Sequence, residues 1–262
     1  MDVLDKLLLY YKMFPAVAMQ RALEVQESIA IRDSCAAPIL DLGCGDGLIA
    51  RLVFAGPVDS GIDIDTRSLK VASDSGFYRT VINSDARNLP FKDNSFRTIY
   101  SNSAIEHMQD FGSVLDELAR VLKTNGLLVF SVPSRRLAKP LGAIGILVGQ
   151  RIWDRFNRLQ SHINLFDETE WHVLLSRYGF KTRLIKPYCN YSIARYIFWL
   201  DFFGKLHFNF RWPLLHLRHC GNLGLAMAKI IPGFLDLKHI FLKYAYRRED
   251  IAYCLMILAV KE

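Results

Sequence analysis

Apolar positions near the start of the chain recur at helical spacing. Val3, Leu4, Leu7, Leu8 and Tyr11 form one set and Val17, Leu23, Val25 and Ile29 a second, and Pro15 between them predicts two helices over residues 3 to 31. Beyond Pro38 the pattern changes to short apolar runs. Those at 38–42, 58–64, 81–86, 98–102, 127–132, 180–188 and 251–260 read as strands. Helices are predicted from Leu48 to about Phe54, from 66 to 75 behind an Asp65 cap, and from 112 to 123. In the last of these Leu115, Leu118, Val121 and Leu122 share one face, and Asn125-Gly126 ends it. Asp167, with Glu170 three places on, reads as a capping box opening a helix from Glu168 to Arg177, which Gly179 stops. No internal repeat or low-complexity linker breaks the order.

The first strand leads into the sharpest local signal, Asp41-Leu42-Gly43-Cys44-Gly45-Asp46-Gly47. A strand turning through glycines into a helix leaves backbone N–H groups uncovered at the helix start, and a glycine without Cβ lets a ligand reach the main chain. This is a nucleotide-binding turn. The dinucleotide fingerprint needs a small residue where Leu48 stands, and a phosphate-cradling P-loop needs a lysine that Asp46-Gly47-Leu48 does not supply. NAD and ATP are therefore disfavoured. An acid closing the second strand can accept two hydrogen bonds from ribose hydroxyls, and Asp63 stands at that place.

The run from Asp41 to Gly47 resembles the first motif of class I S-adenosylmethionine (SAM) methyltransferases. Gly61-Ile62-Asp63-Ile64-Asp65 resembles their second motif, and Asp85-Ala86 with Leu89-Pro90-Phe91-Lys92-Asp93-Asn94-Ser95-Phe96 their third. Arg97 departs from the family, which usually has Asp there. The resemblance runs without gaps from Ile39 to Pro133. It implies SAM as cofactor, with Asp41, Gly43, Cys44, Gly45 and Gly47 around its methionine end, Asp63 at the ribose, Asp85 and Ala86 at the adenine, and Ile64 and Ser101 also at the cofactor. The fold it implies is α/β, a Rossmann-like seven-stranded sheet with a terminal antiparallel strand and helices on both faces. Residues 1–38 would then be N-terminal helices, 39–190 the SAM-binding domain with an insertion at 134–160, and 250–262 its last strand. Residues 191–249 form a second insertion. Both insertions leave from carboxyl ends of strands, so both are expected on the cofactor side.

At 262 residues the chain has ample length for one large core. Its five cysteines show no C-x-x-C spacing or disulfide framework, and the acidic start Met1-Asp2-Val3-Leu4-Asp5 does not read as a signal peptide. A cytoplasmic setting is expected. The longest stretches free of Asp, Glu, Lys and Arg are 11 residues, against the roughly 20 that a spanning helix needs. The net charge of +7 favours anionic partners. Most of it lies in 191–249, where nine Lys/Arg stand against three acids and 13 of the chain's 32 aromatic residues gather. Aromatic and basic residues interleaved in this way suit an anionic membrane surface at the inner face, with a lid or a dimer face as the alternative.

SAM carries its own leaving group, so no metal or nucleophile is required, and a base helps only where the acceptor must lose a proton. His107 and His162 are the candidate catalytic groups. Glu106-His107 is similar to the Glu-x-x-Glu-His of the ubiquinone-pathway O-methyltransferases, which can hold a divalent ion. Ser103 replaces the first Glu here, so no metal is expected. The function implied is methyl transfer to a small-molecule or lipid-linked acceptor, at oxygen. A nucleic-acid methyltransferase is the alternative suggested by charge. Ser101-Asn102-Ser103-Ala104 lacks the Asn/Asp-Pro-Pro-Tyr/Phe signature for base amines, which speaks against it. A SAM-binding scaffold without catalysis is the other.

Overall fold

The computed structural model describes residues 3–11, 15–138, 161–190, 193, 194, 197 and 252–262. Most of the expected insertion at 191–249 and most of that at 134–160 lie outside the described residues. By compactness the chain forms two units, Met1–Leu23 with Cys189–Ile251, and Glu24–Tyr188 with Ala252–Glu262.

The N-terminal helices are α1 (Val3–Tyr10) and α2 (Pro15–Ile31), with Pro15 at the first helical position, where its missing N–H is no loss. The sheet follows: β1 (Ile39–Leu42), β2 (Val58–Asp63), β3 (Tyr78–Asn83), β4 (Phe96–Asn102), β5 (Leu122–Pro133), β6 (Phe180–Asn190) and β7 (Ala252–Lys261). Between strands run α3 (Leu48–Val53), α4 (Thr66–Asp74), α5 (Phe111–Val121) and α6 (Glu168–Arg177). The seven strands lie in the order β3-β2-β1-β4-β5-β7-β6, and β7 runs antiparallel to β5. This is the expected Rossmann-like seven-stranded sheet, with its antiparallel strand and helices packed around it.

The core is built from the apolar runs. Leu40, Leu42, Ile99, Phe130, Leu255 and Ile257 of the strands meet Leu115, Leu118 and Val121 of α5, all buried. Trp171 of α6 is fully buried and takes Phe111, Phe130 and Phe166 edge-on at 5.7, 5.1 and 5.0 Å, a geometry that aligns ring edge with ring face. Both predicted caps form. The Asp65 side chain accepts from Arg67 N–H at 3.1 Å, and Asp167 and Glu170 exchange backbone and side-chain bonds of 2.9 Å each.

The α5–β5 junction differs from expectation. The helix ends at Val121 and the strand starts at Leu122, because Leu122 pairs with Phe96 of β4; the register then shifts, and Asn125 turns at φ +61° before regular pairing resumes at Leu127. Asn125-Gly126 is thus an irregularity inside β5 and not a helix stop.

Candidate functional site

Strand order reverses between β1 and β4, and in an open parallel sheet a crevice opens at such a point beyond the carboxyl ends of the strands. The chain leaves β1 at Leu42 through the glycine turn. Gly43 and Gly47 adopt φ of +72° and +75°, which L side chains rarely take up. A Cβ on Gly43 would lie 2.4 Å from Ala104 Cβ, and one on Gly47 would lie 2.7 Å from Tyr78 Cε2. At Gly45 a Cβ would meet nothing of the protein within 4 Å. Gly43 N–H and Cys44 N–H both donate to Ile62 O at 2.9 Å, so the turn hangs from the end of β2.

Asp63 completes that tether. Its Oδ2 accepts from Gly45 N–H and its Oδ1 from Asp65 N–H, each at 2.9 Å. A carboxylate offers about four acceptor positions, so two remain for further donors. Beneath the turn, Asp41 is buried and accepts from the Tyr78 hydroxyl at 2.6 Å. Burial pushes Asp41 up to about 7, against the downward pull of that hydrogen bond, with the charge of Asp63 adding to the rise.

The turn opens on a cleft of about 550 Å³. The cleft brings together Gly43, Asp63, Ile64, Asp85, Ala86 and His107 from the predicted residues. Ile64 stands 75% exposed there, an apolar side chain left open to the cleft. Three other predicted residues lie in the framework. Asp41 supports the turn through Tyr78, Cys44 is buried with its thiol 3.7 Å from Gly45 O, and Ser101 is buried with its hydroxyl donating to Leu42 O at 2.8 Å.

Sequence reasoning missed several lining residues, among them Arg87, Ser103, Ala104 and Met108. Arg87 grips the Asp85 carboxylate, with Nη2 to Oδ2 at 2.6 Å and Nε to Oδ1 at 3.0 Å, and holds its pKa below the usual carboxylate range. An Arg two places after a predicted binding acid was the available signal. Ser103 adopts φ +47° and its hydroxyl donates to Glu24 Oε1 at 2.8 Å, while Asn102 Nδ2 donates to Glu24 Oε2 at 2.7 Å. Glu24 of α2, fully buried, thereby fixes the loop that follows β4.

His162 lies beside His107, ring centroids 5.1 Å apart. A set of bonds stitches residues 161–164 onto the turn at 105–108. Ile163 N–H and Asn164 N–H donate to Glu106 O at 2.7 and 3.0 Å, and Asn164 Nδ2 donates to Ile105 O and Met108 O at 2.9 and 2.7 Å. His107 Nδ1 is 3.0 Å from Ser161 O.

Residues 40–130 match the family model described as "Methyltransferase domain". These residues carry a methyltransferase domain of the class I SAM-dependent type. A malonyl-(acyl-carrier protein) O-methyltransferase of Legionella pneumophila is 28% identical over 134 residues, covering 49% of this chain and 44% of that protein. The ubiquinone biosynthesis O-methyltransferase of Paracidovorax citrulli is 33% identical over 116 residues, covering 40% and 48%. The arsenite methyltransferase of Aquipseudomonas alcaligenes is 34% identical over 153 residues, covering 50% and 44%. The chain thus spans about half the length of the curated relatives it matches. Among solved structures, the cyclase SpnF superposes with a TM-score of 0.56 at 19% identity, covering 90% of this chain and 80% of that one. A SAM-dependent methyltransferase from Mesorhizobium loti superposes with a TM-score of 0.53 at 20% identity, covering 88% and 96%.

The superfamily and the fold imply SAM as methyl donor. The residues present fit it. The cleft volume falls within the roughly 300–1,000 Å³ usual for small-molecule sites. The Gly45 position leaves main chain uncovered, and Asp63 keeps two acceptor positions open.

Proposed function

We propose that the protein is a methyltransferase that moves the methyl group of SAM to an oxygen of a small-molecule or lipid-linked acceptor. Bound SAM would supply a methyl group on a positively charged sulfur that departs as a neutral thioether. The chain's residues bind, orient and exclude water. Gly43, Gly45 and Gly47 form the turn that receives the methionine end, with main chain open to it at Gly45, Asp63 accepts from the ribose hydroxyls, Ile64 covers an apolar ring face, and Asp85 with Ala86 N–H reads the adenine edge. Asp41, Cys44 and Ser101 hold that surface in place.

The observation that carries the reading at oxygen is the pairing of His107, which lines the cleft, with His162 beside it. A hydroxyl must lose its proton on methylation, and His162, with His107 beside it, can take that proton near neutral pH. Two of the relatives are named O-methyltransferases, which supports the same reading. The protein is to be incubated with labelled SAM and separate pools of lipids, RNA and small metabolites. Label in the small-molecule or lipid pool is expected; label in RNA would favour the nucleic-acid alternative, and label nowhere the non-catalytic scaffold. His162→Ala, assayed with chelator present, should lower turnover by about 10²–10⁴-fold while leaving the SAM dissociation constant within a few-fold. Unchanged turnover would remove His162 from the mechanism.

A lipid-linked acceptor draws support from the composition of 191–249, and a cytoplasmic place at the inner membrane face follows from it. No helix among the described residues is long and apolar enough to cross a membrane. Sedimentation with anionic vesicles should capture the protein at low salt and release it at high salt, and Phe202→Ser with Phe203→Ser should weaken capture. Protein left in the supernatant at low salt would reject this part of the reading.

A further inference from the structure

One carboxylate and two imidazoles converge beside the cleft. The ligand-capable atoms of Glu106, His107 and His162 all lie within 4.8 Å of one another. The sequence expectation of no metal rested on Ser103 in place of the motif's first Glu and did not weigh His162, which is remote in the chain. The bonds between residues 161–164 and the 105–108 turn bring it to their side.

The local chemistry favours a cation. His107 Nδ1 faces the Ser161 carbonyl at 3.0 Å, and a carbonyl only accepts, so Nδ1 carries the proton and Nε2 keeps its lone pair. A metal-binding histidine is usually fixed in this way through its other nitrogen. That Nε2 lies 3.9 Å from Glu106 Oε1, whose side chain is only 2% exposed, whereas the His107 side chain is 43% exposed. The carboxyl group is thus held inside the protein while an imidazole stays open to solvent, from which an ion can enter. Tetrahedral bonds of about 2.05 Å place ligand atoms roughly 3.3 Å apart. Closing the cluster onto one ion takes a further approach of at most about 1.5 Å by comparison with that spacing.

We propose that Glu106, His107 and His162 form a three-ligand site for a divalent cation of the zinc class, with its fourth position open. Two imidazole nitrogens and one carboxylate oxygen suit zinc, cobalt and nickel, whereas magnesium and calcium prefer all-oxygen sets. The lone pairs that bind the ion are those that would take a proton from an acceptor. Metal loading therefore withdraws the base, and zinc is expected to inhibit methyl transfer until a chelator removes it. The site goes beyond the proposed activity, because its occupancy is measured without SAM or acceptor.

The test uses the full chain, stripped with chelator and titrated with cobalt(II) and then zinc. A visible cobalt band saturating at one ion per chain, and bleached by zinc, is expected. The affinity should fall at least tenfold in His162→Gln and in His107→Gln. His172→Gln is the control, since His172 is exposed on α6 and outside the cluster. It should bind as wild type does. Circular dichroism checks that each variant is folded, and His162→Gln carries the test should substitution of buried Glu106 prevent folding. No cobalt band, or wild-type affinity in His162→Gln, would overturn the site. SAM titration in metal-free buffer is read separately, so failure here is distinct from failure of the methyltransferase reading.

Discussion

Asp63→Ala is expected to raise the SAM dissociation constant by at least about 100-fold. The carboxylate has two roles that fail together. It accepts from Gly45 N–H and Asp65 N–H at 2.9 Å each, which holds the glycine turn against the end of β2, and its remaining acceptor positions face the cleft for the ribose hydroxyls. A hydrogen bond to a charged group is worth about 1.5–3 kcal/mol net, and two lost to the ligand alone reach that factor. Asp63→Asn should fall between, since its one amide oxygen can still accept while the amide nitrogen cannot. Calorimetric titration of the three proteins with SAM gives the order. Equal affinity for wild type and Asp63→Ala would sink the assignment of Asp63 to the ribose.

The glycine turn, Asp63 and Asp85 were legible in the sequence because their meaning is local. Three glycines after an apolar run demand a backbone conformation, and an acid closing the next strand lies at a fixed offset from it. Resemblance supplied the sheet as a whole, since the antiparallel β7 comes after a stretch whose pattern alone does not assign its partner.

What could not be read depends on distance in the chain. Tyr78 stands between the predicted helix at 66–75 and the run at 81–86, yet its ring lies under Gly47 and its hydroxyl bonds Asp41, 37 residues away. Glu24 reads as a polar position on a helix and is in fact the anchor of Asn102 and Ser103. Asn125-Gly126 misleads because that pair ends helices and also turns within strands; only the pairing of Leu122 with Phe96 decides which. Motif position alone assigns Ser101 to the cofactor. Its inward orientation follows from strand alternation, since on β4 both Tyr100 and Ser101 are buried, one against Ser28 and the other against Leu42 O.

Asp41→Asn is expected to abolish a fall in stability that the wild type shows between about pH 5 and pH 8. Burial holds the Asp41 carboxyl up near 7 in the folded chain, against an ordinary 3.8 when unfolded. Between those values the folded state binds a proton that the unfolded state does not, so stability declines as pH rises through the window and levels off above it. A rise of that size corresponds to about 4 kcal/mol. Acids held below their usual range, such as Asp85 beside Arg87, act in the opposite sense and at lower pH, so they do not contribute between 5 and 8. Asparagine has no proton to lose, and its oxygen can still accept from the Tyr78 hydroxyl. Its buried amide protons cost about 1–3 kcal/mol where they lack partners, a penalty that is the same at every pH. Urea unfolding of both proteins at pH 5 and pH 8 therefore isolates the titration as a difference of differences, in which histidine contributions cancel. The wild type should lose about 2.7 kcal/mol more than the variant over that interval, the part of the window that lies above pH 5. Parallel declines would mean that Asp41 does not titrate there, and that the carboxylate beneath the glycine turn is charged at neutral pH.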